Sequence, residues 1–323
     1  MIAASTSAGR AGVWAAAVAF CWWGFFPIYF RLLPGVHPVE VLANRIVWAL
    51  LLVTAVLAWQ GRWAWLGTAL RHPKTLLGFV ASALLLAANW ITYIWAVSNG
   101  HVVDSSLGYF ITPLVNVALG YSLLGERPRR AQWLALAIAA AGVIWLTAAA
   151  GKLPWIGLVL GLTFGAYGLL RKIAVLGALE GLTFETMILA PAAVTAMAWW
   201  WGSGPTSFPA PELGTNLWLL GLGPATTVPL LLFAFAARRI SLTTLGLMQY
   251  LGPTIQFLLG LWLFNEPLTP NRLIGFALIW TALVIYTADG LRAHKAPALA
   301  AEAAAPPEAL DEPSLPRSPA PPR

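Results

Sequence analysis

Ten long stretches of this chain carry no Asp, Glu, Lys or Arg: 11–30, 46–61, 75–100, 105–125, 131–151, 153–170, 186–211, 213–237, 240–265 and 273–288. Each approaches the ~20 residues that cross a ~30 Å hydrocarbon core as a helix. In lipid a helix satisfies its backbone groups within one segment, so helices are the expected form. The two shorter intervals lengthen if Arg45 and Arg272 lie near their ends. The expected spans are 12–32, 38–60, 75–98, 104–124, 131–150, 154–172, 182–201, 214–236, 242–264 and 270–289. Charged residues make up only 10% of the chain, against about 25% in a soluble domain. That is too few to coat a globule in water. The eighteen Trp suit a chain with two membrane–water boundaries, where Trp concentrates. The first span is too long and Trp-rich for a cleaved signal peptide.

The charges that do occur fix an orientation. With the N-terminus in the cytoplasm, fifteen Lys and Arg fall inside, from Arg10 through Arg62, Arg71, Lys74, Arg127, Arg129, Arg130, Arg171, Lys172, Arg238 and Arg239 to the C-terminal tail. Arg31, Lys152 and Arg272 fall outside, and Arg45 lies within a span. This is the positive-inside pattern. The net charge of +7 is therefore a topology signal, and nucleic acid is not an expected partner.

One segment occurs twice. "LGYFITPLVNVALGYSLLGE" (107–126) pairs without gaps with "LMQYLGPTIQFLLGLWLFNE" (247–266), keeping Pro113/Pro253, Gly120/Gly260 and Glu126/Glu266. Asn116 faces Gln256 and Phe110 faces Tyr250. A weaker echo joins "WGFFPIYFR" (23–31) to "FGAYGLLRK" (164–172), and Glu40 and Glu185 hold similar places. Five spans per half is an odd number, so the second copy enters the bilayer upside down. Inverted repeats are a known architecture of secondary transporters. The expected organisation is a cytoplasmic segment 1–11, a five-helix repeat 12–150, an inverted repeat 151–290 and a disordered Ala/Pro-rich tail 291–323. The expected fold class is an all-α membrane protein with ten transmembrane helices around a central cavity.

Polar side chains in hydrocarbon are costly and normally face a cavity or another helix. Arg45 is the clearest, roughly 10 Å into the second span at 1.5 Å per residue. It reads either as an anion-binding or gating group, or as a partner of Glu40 or of a carbonyl, or as a snorkelling side chain. Glu185 reads as a capping residue or an ion-pair partner of Arg171 or Lys172, or as a proton-coupling group. Asn89 and Tyr93 share a helix face. Tyr109, Asn116, Gln249, Tyr250, Gln256, Thr226 and Thr227 supply further hydrogen-bonding groups, and Trp22 and Trp23 aromatic walls. The expected substrate-binding set is Trp22, Arg45, Asn89, Tyr93, Tyr109, Asn116, Thr227, Gln249, Tyr250 and Gln256, a pattern suited to a small-molecule site. Interhelical hydrogen bonding is the structural alternative for each amide. Pro27, Pro113, Pro229 and Pro253 interrupt spans and are expected flexing points.

No enzyme constellation appears. No Walker loop is present, so direct drive by ATP is not expected. The four His lie at span ends or in loops, and the one Cys excludes an internal disulfide. No cofactor or metal is expected; the expected partners are a small-molecule substrate and the lipid bilayer. No feature marks an oligomeric state.

Several pieces resemble the RarD group of EamA-type proteins in the drug/metabolite transporter superfamily. They are "NRIVW" (44–48), "NWITYIWAV" (89–97), "SLGYFITPLVN" (106–116), "LGER" (124–127), "YGLLRK" (167–172), "TTVPLLLF" (226–233) and "TLGLMQYLGPT" (244–254). The resemblance implies ten helices, a cavity between inverted halves, alternating access and a bacterial inner membrane, with export the favoured direction. Asn44-Arg45 stands where the group usually has His-Arg, which removes one place for proton coupling. The resulting expectation is a non-ATP transporter of a small metabolite or drug-like solute. The rival is a non-transporting membrane receptor or scaffold.

Overall fold

The computed structural model describes residues 2–99, 101–151, 155–203, 208–210, 212–263 and 269–303. Lys152, Glu266 and the tail from 304 lie outside the described residues. Among the described residues there is no β-strand. In chain order the helices are α1 (Ile2–Gly24), α2 (Phe26–Phe30), α3 (Pro38–Gln60), α4 (Ala64–Arg71), α5 (Pro73–Ser98), α6 (Val102–Leu124), α7 (Arg130–Ala150), α8 (Trp155–Ile173), α9 (Ala178–Ser203), α10 (Leu213–Ala237), α11 (Leu242–Met248), α12 (Leu251–Trp262) and α13 (Pro270–Ala303).

Among the described residues, seven helical stretches are long and apolar enough to cross a membrane, and two more, Gly108–Leu124 and Leu273–Asp289, are apolar but shorter. The outer surface fits lipid. Trp14, Leu77 and Ile144 are 72%, 70% and 67% exposed, a burden that a protein in water does not carry in such number. Exposed Trp59, Trp155, Trp201 and Trp262 lie at or near helix ends, where an interfacial belt would hold them.

Local chemistry sets the helix ends. Gly61, Gly125 and Gly151 adopt φ of 63°, 65° and 68° and close α3, α6 and α7, a left-handed conformation that glycine reaches without a Cβ penalty. Pro38 occupies the first turn of α3, and the His37 side chain accepts the Val39 N–H.

Five features differ from the sequence expectation. The span expected at 242–264 is two helices, separated at Gln249–Tyr250. The first span bends at Phe25, where α1 gives way to α2 before Pro27. By contrast α6 runs unbroken through Pro113, and α10 through Pro229. The chain is helical from Ile2, and α13 continues to Ala303, well into the segment 291–323 expected to be disordered. Ala, the strongest helix former, supplies five of residues 296–303 and extends that helix. The short helix α4 is an element that no long uncharged run signals.

Helix α3 lies between α9 and α10, and α8 between α5 and α6; α1 packs on α10, α11 and α12, and α7 on α13. Glycine brings α8 onto α6. A Cβ on Gly165 would stand 2.5 Å from Val115 Cγ1, and one on Gly161 2.7 Å from Ile111 Cγ2. Small residues at such crossings let backbones approach where lipid supplies no hydrophobic drive. One buried cluster gathers around Phe20, Trp90, Tyr167 and Phe233, and a second around Phe110, Tyr250 and Phe276.

Gly223 offers a test of this packing. A Cβ there would stand 2.8 Å from the Trp48 backbone carbonyl, which has no rotamer to yield. Gly223→Ala is expected to cost about 1–3 kcal/mol by overpacking, seen as a lower melting temperature in detergent. Gly214 has open space around it, so Gly214→Ala should leave the melting temperature equal or slightly higher.

Candidate functional site

A narrow central cavity is lined by α1, α2, α3, α5, α6, α8, α12 and the break between α11 and α12. Its room is about 60 Å³, enough for a few water molecules and well below the ~300–1,000 Å³ of small-molecule sites. A solute of metabolite size therefore requires the helices to move.

Phe20, Trp23 and Phe26 recur every three residues and so share one face of the first span. Trp23 meets Phe164 of α8 edge to face, with ring centroids 5.6 Å apart. Tyr93 meets Tyr109 in the same way at 5.7 Å. Arg45 projects from α3 with only 3% exposure. Its guanidinium carbon stands 4.2 Å from the Trp90 ring centroid and 5.3 Å from that of Phe26. Its Nε is buried without a hydrogen-bond partner. Among the described residues no carboxylate lies within salt-bridge reach of Arg45, so the pairing with Glu40 does not form.

The amides follow from the backbone. Pro27 has no N–H to offer the carbonyl four residues earlier, that of Trp23. Gln256 Nε2 donates to that Trp23 carbonyl at 3.2 Å, tying α12 to α1 at the bend. Asn89 Nδ2 donates to the Leu160 carbonyl and to Thr163 Oγ1, both at 3.0 Å. Asn116 Nδ2 donates to Gln249 Oε1 at 2.7 Å. These bonds are the interhelical role that stood as the structural alternative. Three of the four amides, Asn89, Gln249 and Gln256, still line the cavity.

Of the expected set, Arg45, Asn89, Tyr93, Tyr109, Gln249 and Gln256 meet at this cavity. Trp22, Asn116, Thr227 and Tyr250 do not line it. Trp22 is 42% exposed, because it is rotated about one-quarter turn from Trp23. Asn116 lies behind the wall, in contact through Gln249. Thr227 is buried in α10 with no partner for Oγ1. The break before α12 turns Tyr250 away, to stack on Phe110 and donate to its carbonyl at 3.4 Å. Sequence reasoning missed Phe20, Phe26, Trp90, Thr112, Phe164 and Gly252. Thr112 and Gly252 precede the matched prolines, a signal that was available. The repeat alignment also pairs Tyr109 with Gln249, and Trp23 with Phe164, so lining positions recur in matched pairs.

Apolar helices around a narrow internal cavity, aromatic with a few polar groups, define a multi-pass membrane protein. The sequence matches the EamA-like transporter family over residues 10–148 and again over 153–288, and the chain belongs to that family. It is 43% identical over 288 residues to Protein RarD of Streptomyces exfoliatus, covering 89% of this chain and 91% of that protein. It is 45% identical over 278 residues to an uncharacterized transporter of Pseudomonas aeruginosa, covering 85% and 92%. Protein RarD of Escherichia coli is 40% identical over 282 residues, covering 87% and 95%. A solved crystal structure with 18% identity superimposes with a TM-score of 0.66 over 89% of this chain and 98% of its own, a likeness of fold.

Proposed function

We propose that this protein is a secondary transporter of ten spans in two inverted halves, moving a small anionic solute with an apolar or aromatic body by alternating access. Arg45 carries the reading. A buried guanidinium without an ion pair is expensive inside a membrane protein, and the ring contacts to Trp90 and Phe26 offset only part of that cost. A substrate carboxylate or sulfonate between Trp90, Phe26 and the two tyrosines would complete its hydrogen bonds.

The packing pattern supports the inverted halves. Advancing each span by five converts α1 on α10 into α8 on α5, and α8 on α6 into α1 on α11 and α12. The pairs α3 with α9, α7 with α13 and α6 with α11 each map onto themselves. The family match in two consecutive blocks points the same way. The proposed topology has cytoplasmic termini in a bacterial inner membrane, and the proposed direction is export, on family resemblance.

The test is a binding and flux panel on the full chain. Naphthalene-1-sulfonate is an apt probe, because its permanent charge keeps it from leaking through lipid. It should quench tryptophan fluorescence saturably and exchange across proteoliposomes, whereas (1-naphthylmethyl)trimethylammonium, a cation with the same aromatic body, should do neither. A panel of aromatic and aliphatic carboxylates and sulfonates that neither binds nor exchanges would remove the reading.

A further inference from the structure

A second buried charge cluster lies apart from the central cavity, where α5, α8 and α9 meet. Glu185 of α9 is fully buried, and Arg171 of α8 is 1% exposed. Ser82 Oγ of α5 donates to Glu185 Oε1, and Tyr167 OH of α8 donates to Oε2 at 3.4 Å. The guanidinium is less well matched. Its Nη1 stands 3.7 Å from Glu185 Oε1. Nη1 and Nε have no hydrogen-bond partner, while Nη2 donates to the Gly177 and Ala178 carbonyls at 3.3 and 3.2 Å. Room for the guanidinium comes from Gly181, where a Cβ would collide with it. Helices α3 and α10 also pack on α9 but give Glu185 no hydrogen bond or ion pair among the described residues. Glu180, on α9 itself, is engaged by Arg62.

A cavity of about 190 Å³ adjoins the cluster, lined by Lys74, Thr75, Gly78 and Ser82 of α5 and Leu170 and Ile173 of α8. It lies at the start of α5 and the end of α8, which the proposed topology puts at the cytoplasmic face. Ser82 both lines this cavity and donates to Glu185. One hydroxyl thus separates the buried carboxylate from a water-accessible space. A carboxylate held by hydroxyl donors and one loosely matched arginine can accept a proton: the acid keeps its partners, and Arg171 keeps the two carbonyls.

We propose that Glu185 is a proton-binding site, reached from the cytoplasmic face through Ser82, whose occupancy is coupled to movement of solute in the central cavity. The coupling half of this rests on the transporter reading; the proton site does not. Each cycle takes one proton from cytoplasmic water onto a Glu185 oxygen and later releases it, with no bond made or broken elsewhere.

Infrared difference spectroscopy of the full chain in liposomes, titrated between about pH 5 and pH 9, reads protonation directly. A buried carboxylic-acid carbonyl band should grow on acidification. It should be absent from Glu185→Gln, unchanged in Glu180→Gln and shifted in frequency in Ser82→Ala, which loses the donor. Should Glu185→Gln fail to fold, the Ser82→Ala shift alone must appear. A band that never titrates, or that survives Glu185→Gln, overturns the site. In flux assays with naphthalene-1-sulfonate, Glu185→Gln should lose accumulation driven by a pH gradient but keep exchange at equal pH. Wild-type exchange indifferent to a pH gradient overturns the coupling and spares the transporter reading. A titrating Glu185 band without flux of any panel anion removes that reading, and the coupling with it, and spares the proton site.

Discussion

Arg45→Met is expected to make the protein more stable and, at the same time, a poorer binder of anions. The two effects have one origin. Replacing even a buried ion pair by apolar side chains of similar volume is often stabilising, by about 1–4 kcal/mol, and among the described residues Arg45 has no ion pair to lose. The cation–π attraction to Trp90, which Met cannot supply, is worth about 0.5–2 kcal/mol, so the balance favours a higher melting temperature. Binding moves the other way. A charge-assisted hydrogen bond contributes about 1.5–3 kcal/mol, so naphthalene-1-sulfonate affinity should fall about 10–100-fold, at about 1.4 kcal/mol per factor of ten. Flux should fall with it at unchanged expression. A lower melting temperature with intact binding would make Arg45 a structural residue and empty the cavity of its proposed role.

The next largest effect is expected at Glu126. Its Oε1 accepts the Leu242 N–H at 2.7 Å, and its Oε2 accepts the Thr243 N–H at 3.0 Å and Thr243 Oγ1 at 2.8 Å. These are the first amides of α11, where a carboxylate also meets the positive end of the helix dipole. Lys172 stands 3.7 Å from the same carboxylate and donates to the Ile240 carbonyl at 2.7 Å. The ends of α6 and α8 and the start of α11 are thereby joined at the face proposed as cytoplasmic. Glu126→Ala orphans two backbone donors, at a cost of about 1–3 kcal/mol. Because that cost falls on a junction at the face proposed as cytoplasmic, the variant should favour the inward-open form. Thr112→Cys, on the cavity wall, should then react several-fold faster with a maleimide added to inverted vesicles in the Glu126→Ala background. Equal rates would show that the junction holds helices together without controlling access.

The class of this fold was legible because lipid allows few backbone solutions, and long uncharged runs reveal which one is used. The helix faces were less legible. In water an apolar stripe announces the buried side, but in lipid the outer side is equally apolar, so Trp22 and Trp23 look alike in sequence. The polar residues were better guides: Arg45, Asn89, Tyr93, Tyr109, Gln249 and Gln256 all meet at the cavity. The amide of Asn116 failed as a guide because its partner, Gln249, comes from a distant segment. The turn that carries Tyr250 away was hidden as well, since the break falls three residues ahead of Pro253 rather than at it. Helix α4, eight residues long, sits in an uncharged run of only eight residues, 63–70, too short to stand out among the spans. Pairing of Glu185 with Arg171 was one of the readings the sequence allowed, but Ser82 and the cavity beside it needed three helices to be assembled.

The most direct test of the inverted halves is the sidedness of two exposed positions, Arg127 after α6 and Thr269 before α13. With Cys21 replaced by Ala, single cysteines at each would be treated with a membrane-impermeant maleimide in intact cells and in inverted vesicles. Opposed halves require Thr269→Cys to label only from outside and Arg127→Cys only from the cytoplasm. Labelling of both from the same face would contradict the inverted arrangement, and the alternating-access reading with it.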